Sequence, residues 1–575
     1  MAKVATTLYL GGRILPCDGV TPAAEALVVR DGRVAGVGPR GAMAELAGRG
    51  AEEVELRGAT VLPGFVDTHP HLLHFGAFAE PLVDIADARS HDDIVERIRR
   101  RAAITPPGEW IMTTPVGEPH YFIRRSWRDL AEGRLPDRHV LDRATSAHPV
   151  FIQAWAPVIP NVCAFNTAAL ARLRIGRDTP DQVEHVWIDK DGRGDPTGIL
   201  RGAVNNYYTN DAFMNDLLRQ VPMLQPDAVL PGTMRAMAAY NRLGVTTVYE
   251  GHAMGRAEIG AWRMLREQDA LTLRVLTALE AEPYGLPWTH PLSMAEFRDN
   301  LEAALAMEET TDDCLRHRGV TLSRGGPCWP GFLRMWEPYR GPWGEHTTGV
   351  EFVAPEKEQL ALDFCAERRL RLNFIGAGYR DHDEFLDRAE AVAMRMPVAD
   401  RGWILQHVFF LTERNARRYA ELGMRVTTSM SFSWGKGDMF VERVGEHVLP
   451  DLIPLRRMLD AGLVVGCGTD WGPKNVFEHI ALAETHAFAG SGRRNDGPAQ
   501  RVTRAEALRM WTRDAARAIG WDGVGTLVPG SHADLIVVDR DPLSCPVEDL
   551  PATRVLRTVL GGRSVWDSEA RGPRN

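Results

Sequence analysis

What most restricts the fold of this 575-residue chain is a series of eight short apolar runs separated by longer stretches. The runs occupy residues 62–67, 244–249, 272–279, 320–323, 370–375, 403–406, 424–429 and 464–468. Between several of them, residues 355–368, 381–396 and 412–422 repeat apolar side chains at the helical period. Parallel strands need a crossover between them, usually a helix, so strand–helix alternation predicts a parallel β/α sheet. Eight such strands point to an α/β protein built on a (β/α)8 TIM-type barrel rather than an open sheet.

The two ends read differently. Near the start, Thr7-Leu8-Tyr9-Leu10 stops at Gly11-Gly12, and Asp31-Gly32 between two apolar runs is a hairpin signal. Near the end, Ala533-Asp534-Leu535-Ile536-Val537-Val538 and Val555-Leu556-Arg557-Thr558-Val559-Leu560 have the same character. One small β-sandwich assembled from both termini is expected, over 1–62 plus 523–575. The barrel takes 63–84 plus 230–522. From about residue 85 to 229 the alternation fails in a stretch rich in Trp, Pro and Arg, which predicts an inserted subdomain over the barrel mouth.

Composition narrows the function. A net charge of −9 with no basic stripe argues against nucleic-acid partners. No apolar stretch approaches a membrane span, and Met1–Ala5 lacks the apolar core of a secretory signal. Seven scattered cysteines without a C-x-x-C fit a reducing compartment, so a cytoplasmic protein acting on a small molecule is expected.

The chemistry is concentrated where strands end, which is where barrel enzymes place it. The first run ends in His69-Pro70-His71, two imidazoles one residue apart that an extended strand would direct to one face. The second ends in Glu250-Gly251-His252, the sixth in His407, and the eighth in Gly468-Thr469-Asp470. Any one of these has an ordinary explanation, such as a hydrogen-bonded histidine or an aspartate capping a helix. Together they predict a site for a divalent metal, Zn first, with Mn or Fe as alternatives.

At this point the residues resemble a known family. Pro63-Gly64-Phe65-Val66-Asp67-Thr68-His69-Pro70-His71 is similar to the signature of the amidohydrolase superfamily. The terminal β-segments resemble its small sandwich. The insertion, the Gln406-His407 and Gly468-Thr469-Asp470 strand ends and Asp541-Pro542-Leu543 resemble the amidohydrolase-3 branch, which includes N-substituted formamide deformylases. The resemblance implies hydrolysis of a C–N bond in an amide, formamide or cyclic imide, and a homodimer is a family-level expectation. It implies metal ligands at His69, His71, His407 and Asp470, with Glu250 as the candidate bridge to a second ion. Asp470 would be the general base and acid, with His252 or His407 as donor to the oxyanion.

Two departures stand out. The family's fourth-strand lysine is replaced by Thr321, and its fifth-strand histidine by Asn373. The site therefore holds one or two ions depending on Glu250. A deaminase, lyase or decarboxylase on the same scaffold, or a degenerate binding protein, are the alternatives. Trp329, Trp434, Trp471, Asn373 and Arg324 are the expected substrate contacts, with His120, Tyr121 and Arg380 as further candidates. Residues 429–439, containing Gly435-Lys436-Gly437-Asp438, have the composition of a lid or a surface loop.

Overall fold

The computed structural model describes residues 6–569 apart from 80–81, 118–123, 156–157, 207, 209–210, 224, 285–288 and 309–311. Its centre is an eight-stranded parallel sheet: β1 Phe65–Asp67, β2 Val245–Glu250, β3 Arg274–Glu280, β4 Leu315–Ser323, β5 Leu372–Gly376, β6 Ile404–His407, β7 Arg425–Thr428 and β8 Val465–Cys467. Each strand pairs with the next in sequence order. The seam between β8 and β1 is bridged just beyond the strand ends. Thr68 N–H donates to Cys467 O at 3.2 Å, and Asp470 N–H donates to His69 O at 2.8 Å. Each of the eight predicted runs contains a barrel strand, and the predicted helices are Pro355–Glu367, Tyr379–Ala393 and Glu413–Glu421. Helix starts follow local chemistry: Pro355 occupies a first-turn position, and the Thr412 hydroxyl caps Asn415 N–H.

The first run needs correction. Residues 62–67 are not one strand, because Thr60–Pro63 belongs to a different sheet and β1 begins at Phe65. Gly64 makes the switch. A Cβ there would lie 2.2 Å from the Thr246 hydroxyl, so only glycine lets the chain pass this close to β2.

The terminal segments form two sheets. One is ordered Arg33–Gly38, Ala26–Arg30, Thr6–Leu10, Glu52–Glu55. The other is ordered Arg13–Ile14, Thr60–Pro63, Leu535–Val538, Val555–Leu560, Arg563–Asp567. Tyr9, Leu27, Val29, Val61, Leu535 and Val559 from both ends share one core. The predicted hairpin is present: Arg30 faces Arg33 across Asp31 and Gly32, both at positive φ. A buried bidentate ion pair fastens this layer to the barrel. Arg274 Nε and Nη2 reach the Asp534 carboxylate at 2.6 and 3.0 Å.

Within the stretch where alternation failed lies a six-stranded sheet from Ile111–Thr113 to Pro196–Gly202, with a core that includes Ile94, Ile111, Leu141 and Ile152. Trp343 stacks on His185 of this region at 4.8 Å, so it serves packing.

Residues 429–439 form neither a lid nor a surface loop. They enter the buried helix Ser431–Arg443, which turns Phe432 and Phe440 inward. Its glycines reflect crowding, since a Cβ on Gly437 would lie 2.4 Å from the Phe488 ring.

Candidate metal centre

His69 and His71 do not meet by the route that strand alternation suggests. β1 ends at Asp67, and His71 sits in the left-handed region at φ 50°. The turn still brings the imidazoles together, with ring centroids 4.8 Å apart and planes at 81°. His407 at φ 69° and Asp470 at φ 47° share this unusual backbone. Such conformations cost of order 1–3 kcal/mol each and gather where a surrounding structure fixes functional groups.

His69, His407 and Asp470 form the candidate ligand group among the described residues, their ligand atoms all within 4.8 Å of one another. His407 Nε2 lies 3.3 Å from His69 Nε2. Asp470 Oδ2 lies 3.7 Å from His407 Nε2 and 4.0 Å from His69 Nε2, and Oδ1 lies 3.8 Å from His71 Nε2. Asp470 Oδ1 also accepts from Trp471 N–H at 2.6 Å, which orients the carboxylate.

The donor chemistry fits a cation. Gln406 Nε2 donates to Gly251 O at 3.1 Å, so its Oε1 faces His69 Nδ1, 3.2 Å away. Nδ1 of His69 therefore carries the hydrogen, and Nε2 presents a lone pair to His407. Burial pushes His69 down to about 4 and His407 and His71 well below their ordinary range, which keeps the imidazoles neutral. At this separation the two Nε2 atoms can share one hydrogen or a common cation, and the adjacent carboxylate favours positive charge between them. Two nitrogens bound tetrahedrally at ~2.0–2.1 Å are about 3.3 Å apart, which matches the His69–His407 separation.

Around this group the first and last strands are clasped. Asp67 accepts from His69 N–H and Thr469 N–H at 3.0 Å each, and from the Thr469 hydroxyl at 2.7 Å. Lys474 donates to Asp470 O and lies over the Phe75 ring at 4.0 Å, and burial lowers it to about 8.

His252 joins the histidines, with ring centroids 5.4 Å from His71, 5.6 Å from His69 and 5.7 Å from His407. Its Nδ1 faces Glu280 Oε2 at 3.0 Å, and its Nε2 faces the Tyr208 and Tyr284 hydroxyls at 3.2 and 3.4 Å. Glu280 is itself held by Ala253 N–H and the Ser323 hydroxyl, each at 3.0 Å. Glu280 directly follows the third run, as Glu250 follows the second, so the strand-end rule points to it as well.

Glu250 stands elsewhere. Its Oε1 accepts from Leu73 N–H at 3.0 Å, at the start of the helix Leu72–Ala79, and it lies outside the convergent group. Burial raises this carboxyl to about 7. Its second oxygen, Oε2, is buried without a hydrogen-bond partner. Thr321 and Asn373 fill the vacated ligand positions as structural groups: Thr321 donates to Gly251 O, and Asn373 donates to Val320 O at 3.3 Å.

A narrow cavity of about 20 Å³ opens on the centre, lined by His71, His407 and Asp470 and walled by Trp329, Trp471, Phe409, Phe432 and Tyr284. Of the expected substrate contacts, Trp329 and Trp471 line this cavity. Trp434, Asn373 and Arg324 are not among the lining residues. Trp434 packs under Arg124, 5.0 Å from its ring centroid, and Asn373 is spent on the barrel interior. Arg324 is buried in an ion network with Glu351, Glu358 and Glu384, so its charge is consumed by the fold. Arg380 likewise donates to Glu384 at 2.7 Å. His120 and Tyr121 lie outside the described residues.

Sequence reasoning missed Lys436. It is 1% exposed and lines the cavity, with Nζ 3.8 Å from the Trp329 ring centroid, and burial lowers it to about 7. A lysine among glycines gave no signal, because only the helix it sits on directs it inward.

The model of the Amidohydrolase family matches residues 52–566. An N-substituted formamide deformylase of Arthrobacter pascens is 29% identical over 591 residues, spanning 98% of this chain and 98% of its own. A metal-dependent hydrolase of Pyrococcus furiosus has the same fold, with a TM-score of 0.69 at 22% identity over 94% of this chain and 100% of its own. An atrazine chlorohydrolase of Arthrobacter aurescens complexed with zinc gives a TM-score of 0.53 at 16% identity, covering 99% of this chain and 97% of its own.

Proposed function

This chain belongs to the amidohydrolase family and is a metal-dependent hydrolase, and we propose from that premise that it cleaves the C–N bond of a small N-substituted formamide or related amide with an apolar or aromatic substituent. The observation that carries this reading is the convergence of His69, His407 and Asp470 beneath a cavity walled by Trp329, Trp471, Phe409 and Phe432. The polar end of a substrate meets the histidines while its apolar end meets rings.

His69, His407 and Asp470, with His71 beside them, are the residues that would hold the ion, for which zinc is the first candidate. When bound, a divalent cation supplies Lewis acidity and water activation near neutral pH. Asp470 takes the proton of the attacking water at Oδ2 and passes it to the leaving nitrogen. Gln406 keeps the His69 lone pair aimed inward. Glu280 fixes the His252 ring at Nδ1, leaving Nε2 to exchange a proton with the Tyr208 or Tyr284 hydroxyl beside the reacting carbonyl. The ring-lined walls shield the apolar substituent of the substrate from bulk water.

The test is a screen of metal-loaded protein on N-alkyl and N-aryl formamides, N-acyl amines and cyclic imides. Amine release is followed alongside ammonia release. Amine release that is lost in Asp470→Asn supports the proposal. Ammonia release without amide cleavage would move the chain to the deaminases, and an active Asp470→Asn variant would overturn the proton-transfer role.

A further inference from the structure

At the end of the barrel opposite the histidines, arginines converge. Arg371 and Arg401 precede β5 and β6, Arg425 begins β7, and Arg318 lies just before the part of β4 that pairs with β5. With Arg517 of the helix Arg513–Ile519 they line a cavity of about 280 Å³, to which Asp400 and Asp522 contribute the opposing charge. Three of the guanidinium groups crowd one point. A Cβ on Gly520 would lie 3.1 Å from Arg425 Nη1, 3.7 Å from Arg371 Nη1 and 4.0 Å from Arg318 Nη1.

The fold neutralises little of this charge. Arg425, Arg371 and Arg318 donate to the carbonyls of Arg517, Ile519 and Gly520 at 2.8, 2.5 and 3.5 Å. These end a helix, and such oxygens carry only partial charge. Asp400 is occupied by Arg401 at 2.7 Å and Arg369 at 2.8 Å. Among the described residues, Arg318, Arg371 and Arg425 have no carboxylate at ion-pair distance. Arg371 is 3% exposed, and its Nε has no hydrogen-bond partner. Burial first, and then neighbouring guanidinium charges, push Arg371 and Arg425 below their ordinary range. An uncompensated buried cation costs several kcal/mol unless something pairs with it.

We propose that this cavity is a binding site for the phosphate group of a small phosphorylated molecule, remote from the hydrolytic centre. A carboxylate brings one charge and two oxygens. A phosphate monoester brings about −1.5 to −2 and three acceptor oxygens, which suits three guanidinium groups converging from different strands. The cavity is larger than a bare phosphate, leaving room for the group that carries it. Because the ligand sits where the strands begin, it ties β4, β5 and β7 to the helix Arg513–Ile519 and stabilises the barrel without touching the metal ligands.

The experiment is calorimetric titration of the metal-loaded full chain with inorganic phosphate, pyrophosphate and adenosine monophosphate at matched ionic strength. Saturable binding of one equivalent is expected, weakening as chloride rises. The exposed Arg318 is replaced singly (Arg318→Gln) and together with Arg425 (Arg318→Gln/Arg425→Gln). Loss of a charged hydrogen-bond donor should lower affinity about tenfold or more while metal content is unchanged. Equal binding of inorganic phosphate and the larger probes would make free phosphate the ligand, whereas preference for a larger probe would show that the cavity reads the attached group. Absence of saturable binding by all three probes overturns the proposal. So does unchanged affinity in Arg318→Gln, which would place the anion elsewhere, including on the active-site metal.

Discussion

Gln406 gives the sharpest test of the metal centre, because its two hydrogen bonds can be separated. Its Oε1 accepts from His69 Nδ1 at 3.2 Å, and its Nε2 donates to Gly251 O at 3.1 Å. In Gln406→Met the side chain keeps its approximate volume and loses both bonds. Gly251 O is still satisfied, because the Thr321 hydroxyl donates to the same oxygen at 2.5 Å. The loss therefore falls on His69, whose Nδ1 hydrogen is left buried without an acceptor and whose ring is free to rotate. Outer partners of metal-bound histidines are worth about 10–100-fold in affinity, or ~1.4–2.7 kcal/mol. Zinc affinity measured by competition with a chromophoric chelator should weaken by that factor, with circular dichroism unchanged. Gln406→Glu should recover part of the loss by restoring an acceptor for Nδ1, at the cost of burying a charge. A Gln406→Met protein that is folded and binds zinc as tightly as the parent would refute the assignment of the His69 tautomer and the centre built on it.

Two further substitutions test how charge is divided between fold and site. Arg274→Met strands the Asp534 carboxylate, 2% exposed, between barrel and sandwich. Breaking a buried pair from one side costs about 3–5 kcal/mol, read as a lower midpoint of denaturant unfolding, and an unchanged midpoint would mean the pair contributes nothing. Arg324→Met should likewise destabilise, towards about 3 kcal/mol because Arg388 still reaches Glu358 at 2.8 Å. Its KM should not change, and a raised KM with unchanged kcat would return Arg324 to the substrate.

Lys436 and Arg324 show why some contacts were legible and others were not. Both are buried cations near the ends of barrel elements, and in sequence Arg324, following a strand, looked the better substrate contact. Arg324 is surrounded by Glu351, Glu358 and Glu384, which come from later segments. Lys436 lies on a helix whose glycines resembled a loop, and it reaches the cavity because Phe432 and Phe440 turn that helix inward.

The sequence alone pointed to eight barrel strands, to β-segments at both ends that share a core, and to His69, His71, His407 and Asp470 as candidate ligands. These rest on local rules: hydrophobic period, turn chemistry, and the tendency of barrel strands to end in working residues. The tertiary structure alone decided which polar groups share a site. Glu280 reached His252, Gln406 reached His69, Glu250 turned to a helix N-terminus, and five arginines met at the far end of the barrel. The physical reason is that a metal centre or an ion cluster is set by distances of a few ångströms between side chains hundreds of residues apart. Those distances follow from barrel closure and packing, which no local pattern records.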